Sequence, residues 1–275
     1  MGLVEALTAL LAGYASQTVS VAFVDLQTGE AVSLHAHERM HAASMMKLPV
    51  LLEAHRRAAE GSLRLDEPVS IVNDFVSIAD GSHFVVDSKD DSDDWVYAQL
   101  GKQVPFGKLL ERMIVRSSNL ATNLVLARLH AAAVTALCER LGARETHILR
   151  GVEDGKAHAR GLDNTTTASD LRLLLRALAE GGAPGSAEMI ALLERQEYNE
   201  GIPAALPAGT RVAHKTGSIT GVYHDAALVL PRARKPYVLV VLTRGFEQEA
   251  DAVAAVRKVS RLVWDHVASA ASTIP

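Results

Sequence analysis

His41-Ala42-Ala43-Ser44-Met45-Met46-Lys47-Leu48-Pro49-Val50 is the stretch from which the rest of the chain can be placed. Apolar and helix-forming residues follow it: Leu48, Val50, Leu51 and Leu52, then residues 54–60, with Gly61 as a stop. The pattern predicts a helix that begins at or just before Ser44. Residues three apart share a helix face, so Ser44 Oγ and Lys47 Nζ are expected to meet. A serine hydroxyl is a weak nucleophile until a neighbouring base takes its proton. A lysine can be that base if burial or nearby cations depress its pKa. The helix start adds free N–H groups and partial positive charge, which suit an oxyanion beside the serine. A lone Ser-x-x-Lys arises by chance about once in a chain of this length, so its meaning depends on its company.

Upstream, residues 19–25 alternate as a strand, Gln27-Thr28-Gly29-Glu30 makes a turn and residues 31–35 return, which predicts a hairpin. Before it, Leu3, Leu7, Leu10, Leu11 and Tyr14 recur at helical spacing in a segment with Glu5 and no Lys or Arg. That is an amphipathic helix rather than a secretory signal. Downstream, residues 73–104 are weakly patterned. Helical periods then cover 106–115, 120–129 and 134–141. Residues 143–164, with Gly151, Gly155 and Gly161, are expected to form a long loop. Thr167-Ala168-Ser169-Asp170 reads as a capping box for the next helix, and another helix is expected over 186–196. The period then changes to 2: residues 211–214, 223–230 and 237–243 read as strands, and 248–268 as a closing helix. The expected fold class is α/β (α+β): one antiparallel sheet built from both ends of the chain, flanked by the terminal helices, with an all-α domain inserted. Residues 1–43 and 185–275 would form the sheet domain and 44–184 the helical one, with the active site between them.

Composition narrows the function classes. Of 275 residues 48% are hydrophobic and 22% charged, which supports a sizeable core. The net charge of −4 offers no basic field for nucleic acid or an anionic membrane. No apolar run approaches the roughly 20 residues of a membrane span. Cys138 is the one cysteine, so no internal disulfide forms, and core packing is its expected role. The chain as it stands is expected to be cytoplasmic, or exported if a leader precedes it. No metal and no cofactor are expected. His35, His37 and His41 lie close together in a spacing that fits no common ligand motif. Residues 87–94, with five acidic residues and Lys89, read as a solvated loop; the glycine of a calcium loop is missing.

Two further motifs accompany Ser44. Ser117-Ser118-Asn119 lies between two predicted helices, where a serine could shuttle a proton and an amide could hold a substrate, or where Ser117 or Ser118 could simply cap the next helix. Lys215-Thr216-Gly217, followed by Ser218, lies at the predicted end of a strand. There a lysine can fix an anionic group, a threonine can add a hydroxyl, and a glycine lets a ligand approach the backbone. Each pattern is weak alone. Together, in the order Ser-x-x-Lys, Ser-x-Asn, Lys-Thr-Gly, they are the set found in class A β-lactamases and penicillin-binding proteins.

The chain resembles the class A-like serine β-lactamase and D,D-peptidase superfamily, through residues 44–50, 113–125 and 214–218. The resemblance implies that fold and a set of roles. Ser44 would be the acylated nucleophile, Lys47 its proton partner and Ser117 the shuttle to the leaving nitrogen. Asn119 would bind the acylamide side chain, and Lys215 and Thr216 the substrate carboxylate. The N–H groups of Ser44 and Ser218 would form the oxyanion hole. Three positions depart from the family pattern. Ser118 stands where lactamases usually carry aspartate. Glu153 is the candidate for the deacylating base, but Ala157 stands four residues later, where an asparagine normally helps hold the water. His224 either helps bind a carboxylate or pairs with Asp225. The substrate would be a small molecule: a β-lactam, cut through a Ser44 acyl-enzyme with slow deacylation, or a D-Ala-D-Ala peptide, ester or amide. An acylated sensor is the third reading. The oligomeric state is not legible.

Overall fold

In the computed structural model, which describes residues 2–271, the chain opens with α1 (Leu3–Ala12) and the hairpin of β1 (Thr18–Asp25) and β2 (Ala31–Leu34). A short β3 (Met40–His41) leads through a 3₁₀ turn at Ala43–Met46 into α2 (Lys47–Ala59). Small elements follow: β4 (Pro68–Ser70), β5 (Phe75–Val76), β6 (His83–Phe84), α3 (Asp94–Tyr97) and β7 (Gln103–Pro105). Helices then dominate: α4 (Phe106–Val115), α5 (Asn119–Leu129), α6 (Ala131–Arg140), α7 (Gly155–Ala159), then β8 (Thr165–Thr166), α8 (Ala168–Ala179) and α9 (Ser186–Leu193). The chain closes with β9 (Arg211–Ile219), β10 (Val222–Leu230), β11 (Tyr237–Arg244) and α10 (Glu249–Ala271).

The strands from the two ends form one antiparallel sheet in the order β2-β1-β11-β10-β9. Alternation sorts its side chains by face. Ala22, Val24, Ala226, Leu228, Val238 and Val240 join a core shared with α2, α4, α5 and α8. Val21, Phe23, Ala227, Val229, Leu239 and Val241 join a second core closed by α1 and α10. With both faces covered, the strands are buried almost throughout. In α2 every residue from Lys47 to Ala54 is buried, so this helix runs through the first core rather than along its surface.

Two expectations need correction. β9 does not stop at His214, because β10 pairs with it as far as Ile219; Lys215-Thr216-Gly217 lies within the edge strand. Residues 143–164 contain α7 and a bridge from His147 to Thr165. Residues 73–104 hold a two-residue hairpin, a one-turn helix and β7, elements too short to impress a period on the sequence. Among the described residues no single helix is long and apolar enough to cross a membrane.

Candidate active site

The nucleophile candidate is presented by a strained turn. Ala43 adopts φ 45°, the left-handed region that costs a non-glycine residue about 1–2 kcal/mol. Its N–H donates to His41 Nδ1 at 3.0 Å, and Ala42 N donates to Asn164 O at 2.8 Å, so both flanking segments hold the turn. Gly217 of β9 lies against it. A Cβ there would stand 3.0 Å from Ser44 N and 3.2 Å from Met45 N, tighter than ordinary contact, so a side chain would have to push the turn aside. Ser44 opens onto two adjoining cavities of about 420 and 480 Å³, both also lined by Asn119 and Ser218.

Lys47 is wholly buried. Its Nζ donates to Ser117 O, to Ser117 Oγ at 3.1 Å and to Asn119 Oδ1 at 3.0 Å. In the ammonium form these three acceptors take all of its N–H groups; the neutral amine keeps two N–H groups and frees a lone pair. Among the described residues no hydrogen bond joins it to Ser44 Oγ, contrary to the expectation from helical spacing alone. Burial depresses its pKa to about 7, against the opposing pull of Asp91 and Glu153. Lys215, equally buried, donates to Ser117 Oγ at 2.9 Å and to Thr216 O at 2.7 Å. Burial, and then the charge of Lys47, push it well below the ordinary lysine value. Ser117 itself sits at φ 57°. Its Oγ accepts from both lysines, which fills its lone pairs and leaves the O–H free to donate.

Asn119 extends this network. Its Oδ1 accepts from Lys47, and its Nδ2 donates to Glu153 Oε1 at 2.5 Å and to Asp90 O at 3.3 Å. Ser118 caps α5, accepting from Ala121 N at 3.2 Å. The carboxylate absent from position 118 comes from elsewhere. Asp91 Oδ2 accepts from Ser118 Oγ at 3.3 Å, Asn119 N at 3.0 Å and Leu120 N at 2.8 Å. The run 87–94 is therefore more than a solvated loop. An anion at a helix start meets unsatisfied N–H groups, and Asp91 supplies it. Asp93, which is buried, accepts from Trp95 N and pairs with Arg112.

Glu153, at φ 62° and half-buried, reaches the second cavity together with Ser44. Burial raises its carboxyl pKa, while hydrogen bonds from Asn119 and the Asp87 backbone oppose that shift. The loop around it is clamped. Val152 N donates to Asn123 Oδ1 at 2.7 Å, and Asn123 Nδ2 donates to Val152 O at 3.0 Å. Asp154 accepts from Ser77 Oγ, Ile78 N and Ala157 N. Arg150 pairs with Asp163 rather than with Glu153. Ala157 is buried inside α7 and offers no polar side chain. Asn164 lines the same cavity, yet its amide is committed to the backbone of Leu149 and Arg150 and to Met46 Sδ.

Thr216 and Ser218 line the first cavity, and Ser218 Oγ donates to Glu249 Oε2 at 2.6 Å. His224 is not a substrate ligand. It is fully buried, its Nε2 meets His41 O at 3.0 Å and its Nδ1 accepts from Thr243 N at 3.1 Å, so both ring nitrogens are spent on the backbone. Burial lowers its pKa to about 4. Nor does it pair with Asp225, whose partner is His214 at 2.9 Å. Of the three early histidines only His41 nears the site, where it converges with His158 and Asp163. Because His41 Nδ1 accepts the Ala43 N–H, the neutral ring carries its proton on Nε2, the atom a metal would need. Asp163 is already engaged by Arg150 and His158. The cluster reads as an ion-pair network rather than a metal centre.

Sequence reading missed Asp91, Asn123, Tyr198, Glu200, Tyr223 and Glu249, all in or directly behind the site. Asn123 was discoverable: it stands four residues after Asn119 on a buried helix, where an amide needs partners. The others arrive from distant segments.

A sequence model of the beta-lactamase enzyme family matches residues 2–267. A β-lactamase of Streptomyces fradiae is 28% identical over 238 residues, covering 83% of this chain and 74% of that one. Among solved structures, a β-lactamase from Sphaerobacter thermophilus DSM 20745 superposes with a TM-score of 0.82 at 26% identity, over 100% of this chain and 98% of that one. PBP-A superposes with a TM-score of 0.82 at 24% identity, over 97% and 96% of the two chains, a likeness of fold.

Proposed function

The chain belongs to the beta-lactamase enzyme family, and from that membership we propose that it works through a covalent ester on Ser44. It is a serine β-lactamase-like hydrolase of a small molecule. The observation that carries the finer reading is Ser117 Oγ, which accepts from two buried lysines at 3.1 and 2.9 Å in the cavity that Ser44 lines. In this reading Ser44 Oγ attacks the substrate carbonyl carbon while neutral Lys47 takes its proton. The Ser44 and Ser218 N–H groups receive the oxyanion. Ser117 gives its free O–H proton to the departing nitrogen and is reprotonated by Lys47. Asn119 holds the acyl side, and Lys215 with Thr216 holds a carboxylate on the leaving side. Water then cleaves the ester, with Glu153 as the base.

Acylation has all its parts and deacylation lacks one. An attacking water must be both deprotonated and aimed. Glu153 supplies the base, but Ala157 supplies nothing to fix the water. The ester therefore persists, and turnover is limited by its hydrolysis. The same observation favours a second reading, a D,D-peptidase, esterase or amidase with little lactamase activity. Incubation with a penicillin is expected to add one drug mass at Ser44, and Ser44→Ala is expected to abolish it. A labelled peptide mapping to another residue would overturn the assignment. Nitrocefin turnover beside p-nitrophenyl ester turnover separates the two substrate readings.

A further inference from the structure

We propose that His41 is a positioning residue for Ser44: its neutral ring braces the turn that presents the nucleophile, and protonation of that ring releases the turn. This rests on the serine-hydrolase reading, because that reading makes Ser44 the group whose position matters.

The brace is a chain of hydrogen bonds that starts in the sheet. Thr243 N of β11 donates to His224 Nδ1 at 3.1 Å, so the proton of this wholly buried ring lies on Nε2. That Nε2–H donates to His41 O at 3.0 Å. β3 also pairs His41 with Thr165 of β8, so the His41 backbone is fixed from two sides. Its ring then folds over the next two residues, and Nδ1 accepts the Ala43 N–H at 3.0 Å. An Asx turn makes the same bond with a side-chain oxygen in place of a ring nitrogen. Ala43 is buried, stands at φ 45° and is followed directly by Ser44. Without that acceptor a buried N–H is left over, and the strained turn has less to hold it.

The acceptor can be switched off. An imidazolium carries a proton on both nitrogens, so a charged His41 would meet the Ala43 N–H donor to donor. His41 lines the second cavity and keeps part of its side chain in solvent, whereas His224 does not. Asp163 lies 3.5 Å from His41 Nε2 and favours the charged ring. His158 of α7 stands edge-on, 6.3 Å between ring centroids, and Arg150 pairs with the same Asp163. Glu153 and Asp154 line the same cavity, and from β10 His224 reaches His41 through the backbone. Burial, the largest influence, and the charges of Arg150 and His158 outweigh Asp163 and hold the His41 pKa below its ordinary value. The ring is therefore neutral and the brace closed at neutral pH. The brace opens as the pH falls through that pKa.

Acylation of wild type, His41→Asn and His41→Leu by a penicillin, followed by stopped flow from about pH 8 down to about pH 4, tests this. Circular dichroism at each pH checks that the protein is folded. Asparagine can close an Asx turn on Ala43 but does not titrate, and leucine offers no acceptor. At the upper end of the range His41→Asn is expected within about 3-fold of wild type and His41→Leu about tenfold slower, the cost of a slightly displaced nucleophile. The wild-type rate divided by the His41→Asn rate cancels the titration of Lys47, Asp163 and His158, which both proteins keep. That quotient is expected to fall about tenfold from neutral to acid pH. Should His41→Leu fail to fold, the quotient alone decides. A constant quotient, His41→Leu as fast as wild type, or His41→Asn as slow as His41→Leu would overturn the brace while the Ser44 adduct still forms. An adduct that survives Ser44→Ala would overturn the hydrolase reading, and the proposal with it.

Discussion

On the proposed mechanism Lys47 is the residue on which the chemistry turns. It is fully buried, and burial holds its pKa at about 7, below its ordinary value of 10.5. A depressed lysine is a base only above its own pKa. The acylation rate should therefore climb with pH from 5.5 and level off above about 7, following the neutral fraction. A flat profile over that range, read by stopped-flow acylation, would show that another group takes the proton. Lys47→Ala should slow acylation by about 10²–10⁴-fold, the usual range for a positioned proton acceptor. That Ser44, Lys47, Ser117 and Lys215 would be brought together was legible because each sits in a short motif whose chemistry is local. His224 misled for the opposite reason: a position counted from Lys215 does not reveal whether a side chain faces the cleft or the core. Here β10 turns His224 inward to meet His41 O and Thr243 N.

At the scale of elements, the site is held where a helix start, an edge strand and a loop meet. Asp91 secures the first of these by accepting two backbone N–H groups and one hydroxyl at the start of α5. Asp91→Ala should cost about 1–2 kcal/mol of stability, as a lost helix cap does. It should also slow acylation, since Ser117 and Asn119 lose their anchor; Asp91→Glu should recover part of the stability. Thermal melts and acylation rates measured on the same samples check both. Gly217 secures the second contact. Gly217→Ala would press a methyl group against Ser44 N at 3.0 Å, so activity should fall at least about tenfold while the melting temperature changes little. An active Gly217→Ala would show that β9 does not gauge the position of Ser44. The main helices and the long strands were legible from their periods. The end of β9 was not, because pairing with β10 rather than composition extends it to Ile219. The tie from Asp91 to Asn119 was invisible because it joins residues 28 apart through a loop with no period.

For the whole molecule, the two cores fix one sheet between the terminal helices on one face and the helical body on the other, and the cleft lies along edge strand β9 beside the α2 and α5 starts. On the proposed mechanism that arrangement supplies the acylating residues, while the deacylating set lacks a group to fix the water. Loose positioning of the water, with Ala157 unable to help Glu153, is worth about a hundredfold in rate. Glu153→Gln should lengthen the life of the adduct further. The most direct measurement is a nitrocefin time course on wild-type protein, with intact-mass detection of samples quenched along it. The expected result is a burst close to one equivalent, then slow linear turnover, with a Ser44 adduct as the dominant species during the slow phase. Fast turnover from the first moments with no detectable adduct would contradict the account, because the hydrolytic water would then be held by a group other than Glu153 in the loop that carries Ala157.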